Sequence, residues 1–196
     1  MIKRKGEILQ ELPVYEGYLK VYEGLIKYTT KDGKQSTYRR QKIKTNNAVA
    51  GLVYNKENQT VVLVSQYRYP THTDKTSGFI YEAVAGKIDK GETPIEAFRR
   101  ECLEEVGYKI DNSNIMSCNW CYSSPGYSSE KLHYFLVTVT NKDKVKNAGG
   151  GLEDEHEDID IIEMPYLAFK GMMDYMEDSK LKILAYEAHH RKLFDK

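Results

Sequence analysis

The sequence predicts an α+β protein, a mixed β-sheet sandwiched between helices with an antiparallel β region ahead of it. Strand-like runs rich in Val, Ile, Tyr and Thr fill the first half of the 196 residues. One strongly signalled helix lies near the middle, and two further helical stretches close the chain. A chain this long buries a real core, and 40% hydrophobic with 30% charged residues is a globular composition.

The first strand signal covers residues 14–28, and Asp32-Gly33 supplies a dipeptide favoured in tight hairpins before the signal resumes over 37–43. Residues 48–54 and 60–67 form the next hairpin, whose second arm carries the continuous apolar run Val61-Val62-Leu63-Val64 of a strand buried on both faces. A polar loop is expected over 69–77, a short strand over 79–84, and a glycine-containing loop over 86–91. Thr93-Pro94-Ile95-Glu96 then opens a helix with an N-cap, a first-position proline and a capping-box glutamate, and Gly107 ends it. Residues 115–122 and 133–139 read as strands around a loop. Asn147-Ala148-Gly149-Gly150-Gly151 is a flexible break, followed by an acidic run over 153–160 and a strand through Ile161-Ile162. Pro165 starts a helical stretch to about Glu177, and residues 181–194 form the final helix. The expected division is an N-terminal β region, residues 1–45, and a main domain, residues 46–196, without internal repeats.

Charge narrows the function. With 29 basic and 29 acidic side chains the net charge is zero, which argues against nucleic acid or a membrane surface as partner. An anionic substrate must then be gripped locally, by arginines or by metal ions. The charged N-terminus lacks an apolar run behind it, so no signal peptide is expected, and no segment reaches membrane-spanning length. Three cysteines, Cys102, Cys118 and Cys121, are too few and too odd in number for a disulfide framework and suit a cytoplasmic protein. Cys118 and Cys121 form a lone C-x-x-C whose sulfurs, on a strand, face opposite ways, which argues against a zinc site.

The segment from Gly86 to Tyr108 carries the chemistry. Gly86, Glu92, Arg100, Glu101, Glu104, Glu105 and Gly107 stand at the spacing G-x5-E-x7-R-E-U-x-E-E-x-G-U, with Cys102 and Tyr108 at the two aliphatic positions. Seven identities at fixed offsets arise by chance at roughly one in a billion starting points, so the pattern outweighs an ordinary short motif. At helical pitch Ile95, Phe98, Cys102 and Val106 share one stripe, while Glu101, Glu104 and Glu105 share an adjoining arc. Such carboxylates repel one another when bare, and a hard divalent cation such as Mg²⁺ relieves the repulsion through oxygen ligands. An acidic helix face is ordinarily only a solvated face; Gly86, Glu92 and Arg100 at set offsets are what argue otherwise.

These residues resemble the signature of the Nudix hydrolases, and the resemblance extends over most of the chain. Ser65-Gln66-Tyr67-Arg68, Glu82-Ala83-Val84-Ala85-Gly86, Ser124-Pro125-Gly126 with Glu130, and the Asn147–Gly151 stretch running into Leu152-Glu153-Asp154-Glu155 look like the ADP-ribose pyrophosphatase and nucleotide-sugar branch. The Asn-Ala-Gly-Gly-Gly stretch is most like bacterial GDP-mannose hydrolases. The resemblance implies a Nudix fold that hydrolyses the pyrophosphate bond of a nucleoside diphosphate sugar, GDP-mannose favoured, with Mg²⁺, or Mn²⁺ in its place. ADP-ribose is the alternative substrate, and a nucleotide-binding module without catalysis is the second alternative. It implies metal contacts from Glu101, Glu105, Glu104, Glu157 and the carbonyl of Ala85. Glu155 or a close neighbour is implied as general base, on a loop that closes over substrate, and Glu104 and Glu105 as further catalytic carboxylates. Arg68 either binds a substrate phosphate or pairs with a nearby carboxylate. Arg39, Arg40 and Glu130 are further candidate substrate contacts. Arg100 is expected to orient the loop and Glu92. A homodimer is implied in which the N-terminal strands contact the partner.

Overall fold

The computed structural model describes residues 4–152 and 157–195. Contacts divide the chain into two compact units: residues up to Asn47 with Cys121–Lys131, and Ala48–Trp120 with Leu132–Lys196.

The first unit is built on a three-stranded antiparallel sheet of β1 (Lys5–Glu16), β2 (Lys20–Thr29) and β3 (Gln35–Lys44), in the order β1-β2-β3. The sequence places its first strand at residues 14–28; the structure has a hairpin there, turned at Gly17, whose N–H donates to Leu19 O at 3.1 Å. Residues 5–12 hold Lys, Gly, Gln and two Glu and no clean apolar alternation, which hid the earlier arm. Asp32-Gly33 does make the second turn, with Gly33 at φ 83° and its N–H on Thr30 O. Residues 124–130 join this unit because Ile43 exchanges backbone hydrogen bonds with Tyr127 O and Ser129 N, at 2.7 and 3.2 Å.

The second unit centres on a seven-stranded mixed sheet. Its main order is β10 (Asp160–Pro165), β5 (Thr60–Thr73), β4 (Ala48–Asn55), β9 (Lys131–Val139), β8 (Ile115–Tyr122), with β6 (Thr76–Glu82) on β5 and β7 (Val84–Lys87) on β4. β4 pairs parallel with β9 and antiparallel with β5 and β7. The polar stretch expected as a loop over 69–77 is instead the tip of the β5–β6 hairpin. Threonine hydroxyls knit it: Thr71 Oγ1 donates to Arg68 O and Gly78 O, and Thr73 and Thr76 share a hydroxyl contact at 2.8 Å. β-Branched threonines suit a strand whose side chains stay exposed, and polarity alone concealed that.

Alternation along the strands sends side chains to two cores. Ala50, Leu52, Leu63 and Leu136 face α2 (Tyr166–Met172) and α3 (Ser179–His190), packing with Phe169, Leu181 and Leu184. Val49, Val53, Val62, Val64 and Phe135 face α1 (Pro94–Val106), packing with Ala97, Phe98, Cys102 and Val106. The sheet is thus layered between helices, and Phe98, Cys102 and Val106 of the stripe predicted for α1 are buried while Ile95 is half-buried. Phe98 stacks on Phe135 with ring centroids 5.0 Å apart. A methyl group at Gly51 would stand 2.0 Å from the Phe98 ring, so the glycine makes room for it. The final helix starts earlier than its apolar pattern, because Asp178 caps it by accepting from Lys180 N and Leu181 N. No helix among the described residues is long and apolar enough to cross a membrane.

Candidate active site

The motif folds as a strand, a loop and a helix. β7 carries Ala85 and Gly86; the loop returns the chain to Thr93, whose hydroxyl accepts from Glu96 N while Glu96 accepts from Thr93 N, completing the capping box. Glu92 braces the loop by accepting from Asp89 N at 3.1 Å. Arg100 ties loop to helix. Its Nε and Nη2 both donate to Glu92 at 3.1 Å, Nη2 also reaches Lys87 O at 2.9 Å, and Nη1 donates to Glu101 at 2.7 Å and Glu104 at 2.9 Å. This is the orienting role expected of Arg100, and its hydrogen bond holds the Glu92 carboxyl below its usual range.

The two innermost carboxylates are costly to bury. Glu105 is 2% exposed and Glu101 8% exposed. Burial pushes the Glu105 carboxyl well above its usual range against the pull of the Ala85 N–H, which reaches Oε2 at 3.0 Å; the charges of Glu101, Glu157 and Glu82 add to the rise. Burial likewise lifts Glu101 to about 7, opposed by Arg100 and aided by Glu104 and Glu157. A methyl group at residue 86 would sit 1.8 Å from Glu101 Oε1, so only glycine lets the β7 backbone lie against that carboxylate.

Glu101, Glu104 and Glu105 are therefore brought together on α1 beside Ala85, and Glu157 acts on the same two buried carboxylates from the segment before β10. As the side chains stand, no group of three His, Cys, Asp or Glu among the described residues converges on a single ion position. Arg100 draws Glu101 and Glu104 one way, and the Ala85 N–H holds Glu105. The donor set still suits a hard divalent cation: it is all oxygen, Glu101 and Glu105 are desolvated, and a cation would offset both the burial that raises their carboxyls and the repulsion that adds to it.

Arg68 pairs with Glu82, Nε to Oε1 at 2.7 Å and Nη2 to Oε2 at 3.4 Å. The carboxylate reading of Arg68 is thus realised, although 42% of its side chain stays exposed. Behind it lies a network that sequence reasoning missed. Lys180 Nζ bridges Glu82 at 3.2 Å and Asp178 at 2.8 Å, and Asp178 Oδ2 accepts from Ala83 N at 3.3 Å. Burial works against the Lys180 charge, but Asp178 and Glu82 outweigh it and raise its pKa. An Asp-Ser pair ahead of an apolar helix could have revealed the cap; no pattern reveals a half-buried lysine that bridges two carboxylates.

The remaining candidates belong to the first unit or lie outside the described residues. Arg39 pairs with Glu23 at 2.6 Å, Arg40 lies over the Tyr38 ring, and Glu130 N donates to Ser128 Oγ, all within the first unit. Glu155 lies outside the described residues. Cys118 is half-buried and Cys121 exposed. Tyr108, at an aliphatic position of the motif, is buried; its hydroxyl receives a hydrogen bond from Asn55, and Lys144 lies 4.5 Å over its ring.

A buried carboxylate helix locked to a glycine loop by one arginine defines a family as well as a site. Residues 44–185 match the NUDIX domain, and the chain belongs to that family. It is similar over nearly its whole length to GDP-mannose pyrophosphatases. That of Cronobacter sakazakii is 30% identical over 192 residues, covering 96% of this chain and 97% of the relative. That of Citrobacter koseri is 34% identical over 168 residues, 84% and 85% of the two chains. That of Escherichia coli is 31% identical, 81% of each chain. The fold is that of a solved ADP compounds hydrolase, matched at a TM-score of 0.66 with 20% identity over 95% of this chain and 96% of the other.

Proposed function

We propose that this chain hydrolyses the pyrophosphate bond of a nucleoside diphosphate sugar, GDP-mannose foremost, to a nucleoside monophosphate and a sugar 1-phosphate. The observation that carries this reading is the pair of buried carboxylates on α1, Glu101 against the Gly86 backbone and Glu105 on the Ala85 N–H. The names of the relatives support GDP-mannose as the substrate.

In this reading Mg²⁺, for which Mn²⁺ substitutes, is held by Glu101, Glu105, Glu104 and Glu157 with the carbonyl of Ala85. Bound there, it would neutralise the diphosphate and lower the pKa of a water nucleophile. Arg68 turns its exposed edge to a phosphate while Glu82 fixes the other edge. Arg100 keeps Glu101 and Glu104 in place and takes no part in proton transfer, since a guanidinium stays charged. Glu155 or a close neighbour accepts the proton of the attacking water. Arg39, Arg40 and Glu130 belong to the proposal as substrate contacts in a homodimer whose partner is met through the β1–β3 sheet. A reducing, cytoplasmic setting suits a chain with three cysteines, too few and too odd in number for a disulfide framework.

The test is Glu105→Gln. Burial already favours the neutral carboxyl, so the amide should leave the fold and melting temperature intact while turnover falls by orders of magnitude. Near-normal turnover would overturn the assignment of the carboxylates.

A further inference from the structure

The glycine run 149–151 reads in the sequence as a flexible break, but the structure fastens it to the end of α1. A helix leaves its last four carbonyls without partners; in α1 these belong to Leu103, Glu104, Glu105 and Val106. Gly107 N–H takes Leu103 O at 3.1 Å, and Lys144 Nζ takes Val106 O at 3.1 Å. The other two are taken from the glycine run: Gly150 N–H donates to Glu105 O at 2.9 Å and Gly151 N–H to Glu104 O at 3.0 Å. The residues so capped are the ones whose side chains form the candidate metal site.

Only glycine fits this track. Gly149, Gly150 and Gly151 have φ of 94°, 99° and 84°, in the left-handed region. A methyl group at Gly149 would stand 2.9 Å from Gly107 N, and one at Gly151 would stand 2.6 Å from Glu157 Cβ. From the same run Gly150 O accepts Ile159 N at 3.1 Å; the next residue, Leu152, accepts from Glu157 N at 3.2 Å, and its N–H donates back to Glu157 Oε2 at 3.4 Å. The glycines thus touch the helix on one side and the chain around Glu157 on the other.

We propose that Gly150 and Gly151 are positioning residues, a backbone strut that caps α1 at Glu104 and Glu105 and thereby sets where the Glu157 carboxylate stands relative to the metal-binding side chains of that helix. This deepens the function proposed above and rests on it. Displacing the strut moves Glu157 without removing any carboxylate, so it acts on metal affinity as the loss of Glu157 itself would.

A double-mutant cycle on Mn²⁺ binding tests this, read by calorimetry on the full chain, with Glu105→Gln as reference. Gly151→Ala and Glu157→Gln should each weaken Mn²⁺ binding by about tenfold or more, and the double variant should bind no worse than either alone. Should Gly151→Ala not fold, Gly150→Ala replaces it: among the described residues its methyl meets only Ile159 O at 3.9 Å, so it acts chiefly through the strained backbone. It should weaken Mn²⁺ binding, again without adding to Glu157→Gln. Wild-type affinity in the glycine variants with only a lowered melting temperature would overturn the proposal, as would independent, additive losses. If Glu157→Gln binds Mn²⁺ normally while Glu105→Gln does not, the strut is overturned and the metal site stands. If Glu105→Gln also binds normally, the functional reading itself fails.

Discussion

At the scale of single residues, the site is a balance between desolvation and pairing. Glu101 titrates at about 7 against an ordinary 4.5 because it is buried. A carboxyl raised in the folded state binds its proton more tightly than in the unfolded chain, so its stabilisation is full below the unfolded value and is lost as pH rises through the folded one. Metal-free protein should therefore lose stability between about pH 5 and pH 8, on the order of 3 kcal/mol from this group, with Glu105 acting in the same direction. Mn²⁺ binding should weaken as pH falls through the same window, since protons compete for the carboxylates. Urea unfolding in chelator at both pH values checks the first part, and an unchanged midpoint would contradict it. Arg100 is the counterweight. Arg100→Ala removes the ion-pair partner of Glu92, Glu101 and Glu104 and should cost at least about 2 kcal/mol in the same assay. The sequence made Gly86, Glu92, Arg100 and the three helix glutamates legible because each is tied to a fixed offset in one local segment. Lys180, Asp178 and Glu82 were not legible as a network, since their contacts span up to 98 positions.

At the scale of elements, α1 is held from three sides: by its capping box, by the glycine run at its C-terminus, and by Phe98 in the core. Phe98→Ala removes a ring stacked on Phe135 and fitted over Gly51, and should cost about 3–5 kcal/mol. Asp178→Ala removes the α3 cap and the partner of Ala83 N. It should cost about 1–2 kcal/mol on capping grounds, measurable by denaturant unfolding; a loss below about 0.3 kcal/mol would contradict the capping role. Helix α1 could be read from Thr93-Pro94 to Gly107 because cap chemistry is local. The β5–β6 hairpin tip could not, because a strand made of Thr and Tyr with exposed side chains carries no apolar alternation; pairing across the hairpin, not burial, defines it. The glycine run was legible as three glycines but not as a helix cap, because its partners on α1 lie more than forty positions away.

At the scale of the whole molecule, two units divide the work. The first exposes large apolar side chains on β1 and at its turn, among them Ile8, Leu12 and Tyr15, with Tyr18 94% exposed. An uncovered apolar strand at a sheet edge calls for a cover, and the homodimer proposed here supplies a second copy. Sedimentation should show a dimer for the natural chain and a monomer when Ile8 and Leu12 are both replaced by Lys; a wild-type monomer would contradict it. The second unit carries the carboxylate cluster, to which we assign cleavage between the two phosphates of a nucleotide sugar. The most direct measurement is phosphorus NMR of GDP-mannose incubated with the protein and Mg²⁺. Signals of GMP and mannose 1-phosphate appearing together as the diphosphate doublets vanish are the predicted result. An intact diphosphate, or release of GDP by cleavage at the sugar, would contradict it.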